Sequence, residues 1–176
     1  DYKIKLSNLK NDISAEELFQ VSKDAPSQPM SNYALKNLDN FKFKKVTKEW
    51  GFDTPSFSNG MAYADLDNDG DLDVVVNNID AAAFVYENIA TGNFLKINVE
   101  GPEKNKFGVG AKAIIYHNGT RQIAENTVTR GFLSSVEHGM FFGLGKDIEV
   151  EKVEVIWPDG KSNVFKNVNA NIKNRF

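Results

Sequence analysis

The sequence predicts an all-β, mainly antiparallel fold with one short helix near the N-terminus, and three observations lead to this prediction. Short runs of β-branched and aromatic residues, bounded by turn residues, follow one another along the 176-residue chain. Two pairs of runs are joined by Asn118-Gly119 and by Pro158-Asp159-Gly160, which supply the positive φ angles of tight hairpins. No segment reads as a helix long enough to connect parallel strands.

The helix is expected just after Ser14. Ser14 and Glu17 have the spacing of a capping box, Leu18 and Val21 follow, and the helix should end before Pro26. The expected strands lie near residues 2–6, 32–36, 41–47, 60–65, 72–77, 83–88, 94–100, 111–117, 120–129, 137–144, 151–157 and 161–166.

A faint internal repeat indicates propeller-blade-like strands in the first half. The segments ending at Asn37 and Asn88 are alike, and a period near 50 in strand-rich sequence is typical of propeller blades. Chance alternation of apolar and polar residues is the other explanation. A closed propeller needs at least about four blades, and this half has room for about two. Open blade edges would favour edge-strand self-association between chains.

A polar run at residues 100–106, containing Gly101-Pro102, divides the strand-rich sequence into two halves. We therefore expect three parts. Residues 1–31 form an N-terminal strand, helix and loop segment. Residues 32–100 form the repeat region with an acidic loop, and residues 101–176 form a small β-sandwich or barrel-like domain.

Composition excludes several classes of function. The net charge of −3 gives no electrostatic support for nucleic-acid binding, and the absence of cysteine excludes disulfides and thiolate zinc sites. The apolar runs are far shorter than the roughly 20 residues of a transmembrane helix. The chain begins with Asp1 rather than Met, so we expect it to be a fragment of a larger protein.

The acidic loop at residues 65–73, Asp-Leu-Asp-Asn-Asp-Gly-Asp-Leu-Asp, is the most informative stretch. It holds five Asp and no Lys or Arg, so its charge is −5 while the rest of the chain sums to +2. Converging carboxylates repel one another unless a cation lies between them, and calcium takes six to eight oxygens with flexible geometry. The expected calcium ligands are one oxygen each from Asp65, Asp67 and Asp69, the backbone carbonyl of Asp71, and two oxygens from Asp73.

Three alternatives to this calcium site are less consistent with the residues. The helix–loop–helix calcium hand needs a Glu at position 12 and flanking helices, whereas position 12 is Val76 and residues 74–76 are a β-branched triplet. Magnesium prefers few protein carboxylates and many waters. A solvated acidic turn would not need five Asp at ligand spacing.

The acidic loop and its flanks resemble a known repeat. Phe57-Ser58-Asn59-Gly60-Met61-Ala62-Tyr63-Ala64, the acidic loop and Val74-Val75-Val76-Asn77-Asn78 together resemble an FG-GAP or VCBS repeat. Such repeats build the blades of integrin-type propellers and bind calcium between two strands. The resemblance implies the same ligands, namely Asp65, Asp67, Asp69, Asp71 through its carbonyl, and Asp73.

Residues 94–168 resemble the ASPIC/UnbV domain, which often follows such repeats. The matching stretches, in order, are Asn105-Lys106-Phe107-Gly108-Val109-Gly110-Ala111-Lys112, Arg130-Gly131-Phe132-Leu133-Ser134-Ser135, Phe141-Phe142-Gly143-Leu144-Gly145 and Val155-Ile156-Trp157-Pro158-Asp159-Gly160. Together the two resemblances cover roughly residues 32–168. The combination resembles the C-terminal part of bacterial surface proteins of the cartilage acidic protein type.

Arg130 is the one candidate ligand-binding residue outside the acidic loop. Its guanidinium would pair with a carboxylate of a partner, of a sugar acid or of a neighbouring domain, and an internal ion pair is the alternative. The two histidines are His117, expected to be exposed beside a turn, and His138. No nucleophile elbow or zinc-protease motif is present, so we predict that the chain is not an enzyme.

These observations predict a calcium-stabilised extracellular interaction module, part of a larger surface or secreted protein, whose partner is a protein or glycan at the cell surface. The alternative is an accessory carbohydrate-binding or carbohydrate-processing component. Weak calcium sites suit the roughly millimolar calcium outside cells. Absence of cysteine favours a bacterial exported protein, with an outer-membrane lipoprotein as one form of the full-length parent.

Overall fold

Twelve strands, one α-helix and one 3-10 helix make up the part of the chain that this computed structural model describes, residues 14–38 and 40–176. The expected strand at 2–6 lies outside the described residues. The strands are β1 (Leu35–Asn37), β2 (Phe43–Lys45), β3 (Ser58–Ala64), β4 (Asp73–Asn78), β5 (Phe84–Tyr86), β6 (Asn93–Asn98), β7 (Lys112–His117), β8 (Thr120–Glu125), β9 (Met140–Gly145), β10 (Glu149–Ile156), β11 (Ser162–Asn169) and β12 (Lys173–Arg175). The chain divides into two compact units, the second of which is Ser58–Phe176.

The first unit contains the helix α1 (Ala15–Lys23) and the antiparallel pair β1–β2. The capping box is confirmed: the Glu17 backbone N–H donates to the Ser14 hydroxyl, and the Ser14 N–H donates to the Glu17 carboxylate. Each bond satisfies a donor that the first turn of a helix otherwise leaves without a partner. Ala34 and Val46 are buried where the two strands begin and end.

The second unit begins with a three-stranded antiparallel sheet in the order β3-β4-β5. Ala64, the last residue of β3, pairs with Asp73, the first residue of β4, so the acidic loop connects two neighbouring strands. Val74 to Val76 lie in β4, as their β-branched side chains predict. The strand–loop–strand arrangement expected from the sequence is therefore confirmed.

The remaining strands of the second unit form two sheets, β11-β10-β7-β8 and β12-β6-β9, that share one hydrophobic core. The buried core residues are Leu95, Ile97, Val99, Ala111, Ala113, Ile115, Met140, Phe142, Leu144, Val150, Val153, Val155 and Val168. Both predicted hairpins are present, since β7 pairs with β8 across Asn118-Gly119 and β10 pairs with β11 across the Pro158 turn. The all-β prediction is confirmed, and the described strands form open sheets rather than a closed barrel.

β12 is a strand that the sequence did not reveal. It pairs in parallel with β6, at the edge of its sheet, whereas the other strand pairs are antiparallel among the residues described. Lys173, Asn174 and Arg175 have neither β-branched nor aromatic side chains, so no local pattern marks them as a strand.

The predicted domain ranges stay a prediction. β6 precedes the polar run at 100–106 in sequence but pairs with β9 and β12, which follow it. The sheet that contains β6 thus joins both sides of the predicted boundary. The two sheets that share the hydrophobic core are called the sandwich below. The acidic loop belongs to the same compact unit as this sandwich.

Candidate metal centre

Three carboxylates of the acidic loop converge. Asp65, Asp67 and Asp69 each offer one oxygen, and these three oxygens lie within 4.8 Å of one another. The Asp65 side chain is fully buried, whereas Asp67 and Asp69 are exposed. The structure therefore brings together three of the five predicted ligands around one point at the rim of the unit.

Hydrogen bonds to backbone amides fix the curl of the loop. The N–H groups of Asp69 and Asp71 donate to the carboxylates of Asp67 and Asp69, two residues earlier, and Gly70 N–H donates to Asp65 Oδ1. Gly70 has φ of 99°, and a Cβ at this position would collide with the Phe94 ring. Only glycine combines that backbone angle with that close approach.

Asp73 binds backbone rather than pointing at the three converging oxygens. Its Oδ2 accepts from Leu66 N–H at 2.9 Å and its Oδ1 accepts from Asn88 N–H at 2.8 Å. The residue is buried, so these charge-assisted bonds fasten the start of the loop and the chain after β5 to β4. Two-oxygen donation by Asp73 stays a prediction, since each carboxylate oxygen keeps a further lone pair.

The Asp71 carboxylate lies in the second half of the acidic loop. Its Oδ2 accepts from Ala90 N–H at 3.0 Å, while its Oδ1 is buried without a hydrogen-bond partner among the described residues. Burial, followed by the neighbouring Asp69 carboxylate, raises the pKa of Asp71 above its ordinary value. The ionised form of the Asp71 carboxylate is thus disfavoured, and a bound cation nearby would reverse this effect.

Two lysines from the sandwich reach the buried Asp65. Lys96 of β6 is 4% exposed, with its Nζ 3.9 Å from Asp65 Oδ2 and 3.0 Å from each Glu137 oxygen. Lys173 of β12 lies 4.0 Å from the same Asp65 oxygen and also donates to Asn68 Oδ1. Glu137 in turn accepts from Asp65 N–H at 3.3 Å.

The residues present fit a calcium ion. The donors are hard carboxylate oxygens, which calcium prefers. Asp65 Oδ2 is buried and has no hydrogen-bond partner in the described part of the chain, although such atoms are nearly always paired. Both nearby ammonium groups lie at 3.9–4.0 Å, beyond hydrogen-bond distance. Asp65 therefore has an oxygen available for an ion.

Sequence reasoning missed Lys96, Glu137 and Lys173, because they come close to the loop only through tertiary folding. Lys96 did leave a local signal. It lies between Leu95 and Ile97, in the otherwise apolar middle of β6, and a lysine at a buried position requires an acidic partner.

Arg130 lies in an exposed loop, at residues 130–135, apart from the acidic loop. Its N–H donates to Ser134 O at 3.1 Å, and among the described residues no carboxylate forms an ion pair with its guanidinium. The same loop exposes 64% of Phe132 and 91% of Leu133. Met61 N–H donates to Ser134 Oγ, which fastens the loop to β3.

The expected exposure of His117 was wrong. His117 is the last residue of β7 and follows the alternation that buries Ala113 and Ile115, so its ring faces inward. Its Nδ1 lies 2.9 Å from Asp147 Oδ2, and its Nε2 lies 2.9 Å from the Gln122 amide nitrogen. The alternation of side chains along β7 therefore determines the burial of His117, although the residue lies next to a turn.

Comparison with known families confirms both resemblances. Residues 18–76 match the FG-GAP-like repeat, and residues 101–174 match the ASPIC and UnbV family. The first match contains the three converging carboxylates. FG-GAP repeats are typical of extracellular proteins, and the two matches together indicate an extracellular module.

Curated relatives agree with this assignment. The chain is 32% identical over 111 residues to cartilage acidic protein 1 of Xenopus tropicalis, Homo sapiens and Mus musculus. Each alignment covers 58% of this chain but 16% of the relative, so the chain spans a small part of those proteins. Within the described residues, α1 and the 3-10 helix are both too short to cross a membrane.

Proposed function

We propose that this chain, which combines an FG-GAP-like repeat with an ASPIC/UnbV domain, is a calcium-stabilised interaction module of a larger secreted or cell-surface protein. The observation that carries the proposal is the convergence of the Asp65, Asp67 and Asp69 carboxylates. In addition, the buried Asp65 Oδ2 has no hydrogen-bond partner among the described residues. Extracellular calcium, at about millimolar concentration, is sufficient for a weak site of this kind.

The role of the ion in this proposal is structural. Bound calcium adds positive charge to that of the Lys96 and Lys173 ammonium groups near Asp65. Asp65 is tied to Glu137 through its N–H group, and Glu137 is tied to Lys96 of the sandwich. Ordering the acidic loop therefore also orders its contact with the sandwich. The proposal assigns no catalytic step to the chain.

Replacing Asp69 by Asn is expected to weaken calcium binding at least about tenfold, because it removes one charged ligand and keeps the side-chain volume. Isothermal titration calorimetry with calcium chloride measures the change. Asp80→Asn is the matched control: Asp80 is exposed in the turn after β4, and Asn tolerates its φ of 54°. Equal calcium affinity of the Asp69 and Asp80 variants would contradict the assignment.

The exposed loop at 130–135 is the proposed contact surface for a protein partner. It presents Phe132 and Leu133 beside Arg130, which has no ion-pair partner in the described part of the chain, so the loop suits a partner with an apolar pocket next to a carboxylate. Leu133 has φ of 48°, an angle that costs a leucine about 1–2 kcal/mol. Such strain at an exposed apolar residue is characteristic of functional loops.

Replacing Leu133 by Gly separates binding from folding. Glycine adopts a φ of 48° without strain, so we expect thermal stability to stay equal or rise while binding to the partner falls. The measurement is saturable binding of the fluorescently labelled chain to the surface of cells that naturally produce the protein, with the unlabelled wild-type chain as competitor. Ile89→Ser, at another exposed apolar position, is the control. The unlabelled Leu133→Gly variant is then tested as a competitor in the same assay. If it displaces the labelled chain as well as unlabelled wild type does, the loop is not the contact surface.

The second candidate function is the accessory carbohydrate-binding component. A cavity in the second unit favours it, because it is lined by an aromatic ring, amides and charged groups, none of which belongs to the acidic loop.

A further inference from the structure

A cavity of about 410 Å³ opens beside the 3-10 helix (Glu103–Asn105) and the ends of β6 and β12. Its lining includes Asn98, Lys106, Phe107, Asn126, His138 and Arg175. The volume falls within the range of small-molecule sites and accommodates a monosaccharide or disaccharide.

The wall formed by Phe107 and His138 has an unsatisfied polar atom. The two rings are stacked, with 4.3 Å between their centroids and 8° between their planes. His138 Nδ1 is buried and has no hydrogen-bond partner among the residues described. This nitrogen is enclosed in the protein, so the part of the wall that a ligand reaches is the ring of Phe107, which is 61% exposed.

The backbone beside Phe107 and His138 is held by a buried amide before any ligand arrives. Asn126 is 2% exposed, and its amide donates to Phe107 O at 2.6 Å and to Gly108 O at 3.1 Å. Its Oδ1 accepts from Gly139 N–H. Gly139 has φ of 141°, and a Cβ there would come within 2.8 Å of Asn98 Oδ1. A preorganised wall reduces the entropy lost on binding.

The charges around the cavity favour an anion. Arg175 pairs with Glu100 at 2.9 Å, so these two charges offset each other. Lys106 is exposed and forms no ion pair with any residue in the described ranges, which leaves one positive charge at the rim. A carboxylate is the group that such an ammonium binds.

We propose that this cavity binds an acidic sugar, a monosaccharide or disaccharide that carries a carboxylate. The sugar ring lies against Phe107, a hydroxyl binds the Asn98 amide, and the carboxylate binds Lys106. The proposal rests on the carbohydrate-binding candidate above and is independent of the calcium ion and of the loop at 130–135.

Histidine NMR tests this proposal directly, because the chain has two histidines. His138 lines the cavity, and His117 is buried in β7 with Asp147 as its partner, so His117 reports whether the fold is intact. Sodium glucuronate is titrated against the wild-type chain, with glucose and sodium acetate as separate probes. We expect saturable shifts of the His138 ring resonances at about millimolar glucuronate, with His117 unmoved.

Two variants locate the ligand. Phe107→Ala is expected to weaken glucuronate binding about tenfold, and Lys106→Gln up to about fivefold, since the charge is exposed. Lys104→Gln is the matched control, because Lys104 lies in the 3-10 helix directly before Lys106 but does not line the cavity. Absence of saturable His138 shifts, equal shifts with glucose or acetate, or equal effects of Lys106→Gln and Lys104→Gln would overturn the proposal. Repeating the titration in chelator separates this outcome from failure of the calcium proposal.

Discussion

Replacing Lys96 by Met is expected to lower the free energy of unfolding by about 3 kcal/mol when calcium is absent, and by much less when calcium is bound. The Lys96 ammonium is 3.9 Å from the fully buried carboxylate of Asp65 and bonds both Glu137 oxygens. Removing it leaves the Asp65 charge buried without its nearest counter-charge. Met preserves the apolar stem that packs over the Phe141 ring.

The expected loss lies at the low end for a broken buried pair for two reasons. Glu137 is 34% exposed, so water screens part of its charge, and Lys173 remains 4.0 Å from Asp65. Urea unfolding in calcium and in chelator measures both values. Lys112→Met is the control, because Lys112 pairs with Glu125 at the surface and its loss should cost under about 1 kcal/mol. An equal loss for Lys96→Met with and without calcium would contradict the proposed link between this lysine and the ion.

Calcium itself is expected to raise the melting temperature of the wild-type chain by several degrees. A ligand at a hundredfold excess over its dissociation constant stabilises the native state by about 2.7 kcal/mol, provided that the unfolded chain does not bind it. For a chain of this size each kcal/mol corresponds to about 2–4 °C. The repulsion that calcium relieves exists only in the folded loop, because an unfolded chain spreads its charges. The gain therefore belongs to the second unit, Ser58–Phe176, which contains the loop.

Local sequence patterns predicted most of the fold. Turn chemistry at Asn118-Gly119, the capping box at Ser14 and the β-branched triplet after the acidic loop each depend on neighbours in sequence, so each was readable. β12 could not be predicted from the sequence, because its polar residues form a strand only by pairing with β6. The inward-facing ring of His117 depends on strand period and on Asp147, a residue 30 positions away.

In the candidate site too, features that depend on neighbouring residues were predicted, and features that depend on tertiary folding were not. Ligand spacing within residues 65–73 predicted the converging carboxylates, which a short loop brings together. Lys173 reaches Asp65 through the parallel pairing of β12 with β6, and Lys96 reaches it because β6 lies against the acidic loop. Neither contact follows from spacing within the loop. The sequence also did not predict that both Asp73 oxygens accept hydrogen bonds from backbone N–H groups. Asn88 reaches Asp73 only because β4 pairs with β5.

Differential scanning calorimetry of the wild-type chain tests the central claim, that calcium in the acidic loop stabilises the second unit. Scans are compared in about 2 mM calcium, in the same concentration of magnesium and in chelator, with Asp69→Asn scanned in parallel. The account predicts a melting temperature several degrees higher in calcium than in chelator, a smaller shift in magnesium, and a smaller calcium shift for Asp69→Asn than for the wild type. Superimposable wild-type curves in calcium and in chelator would contradict it.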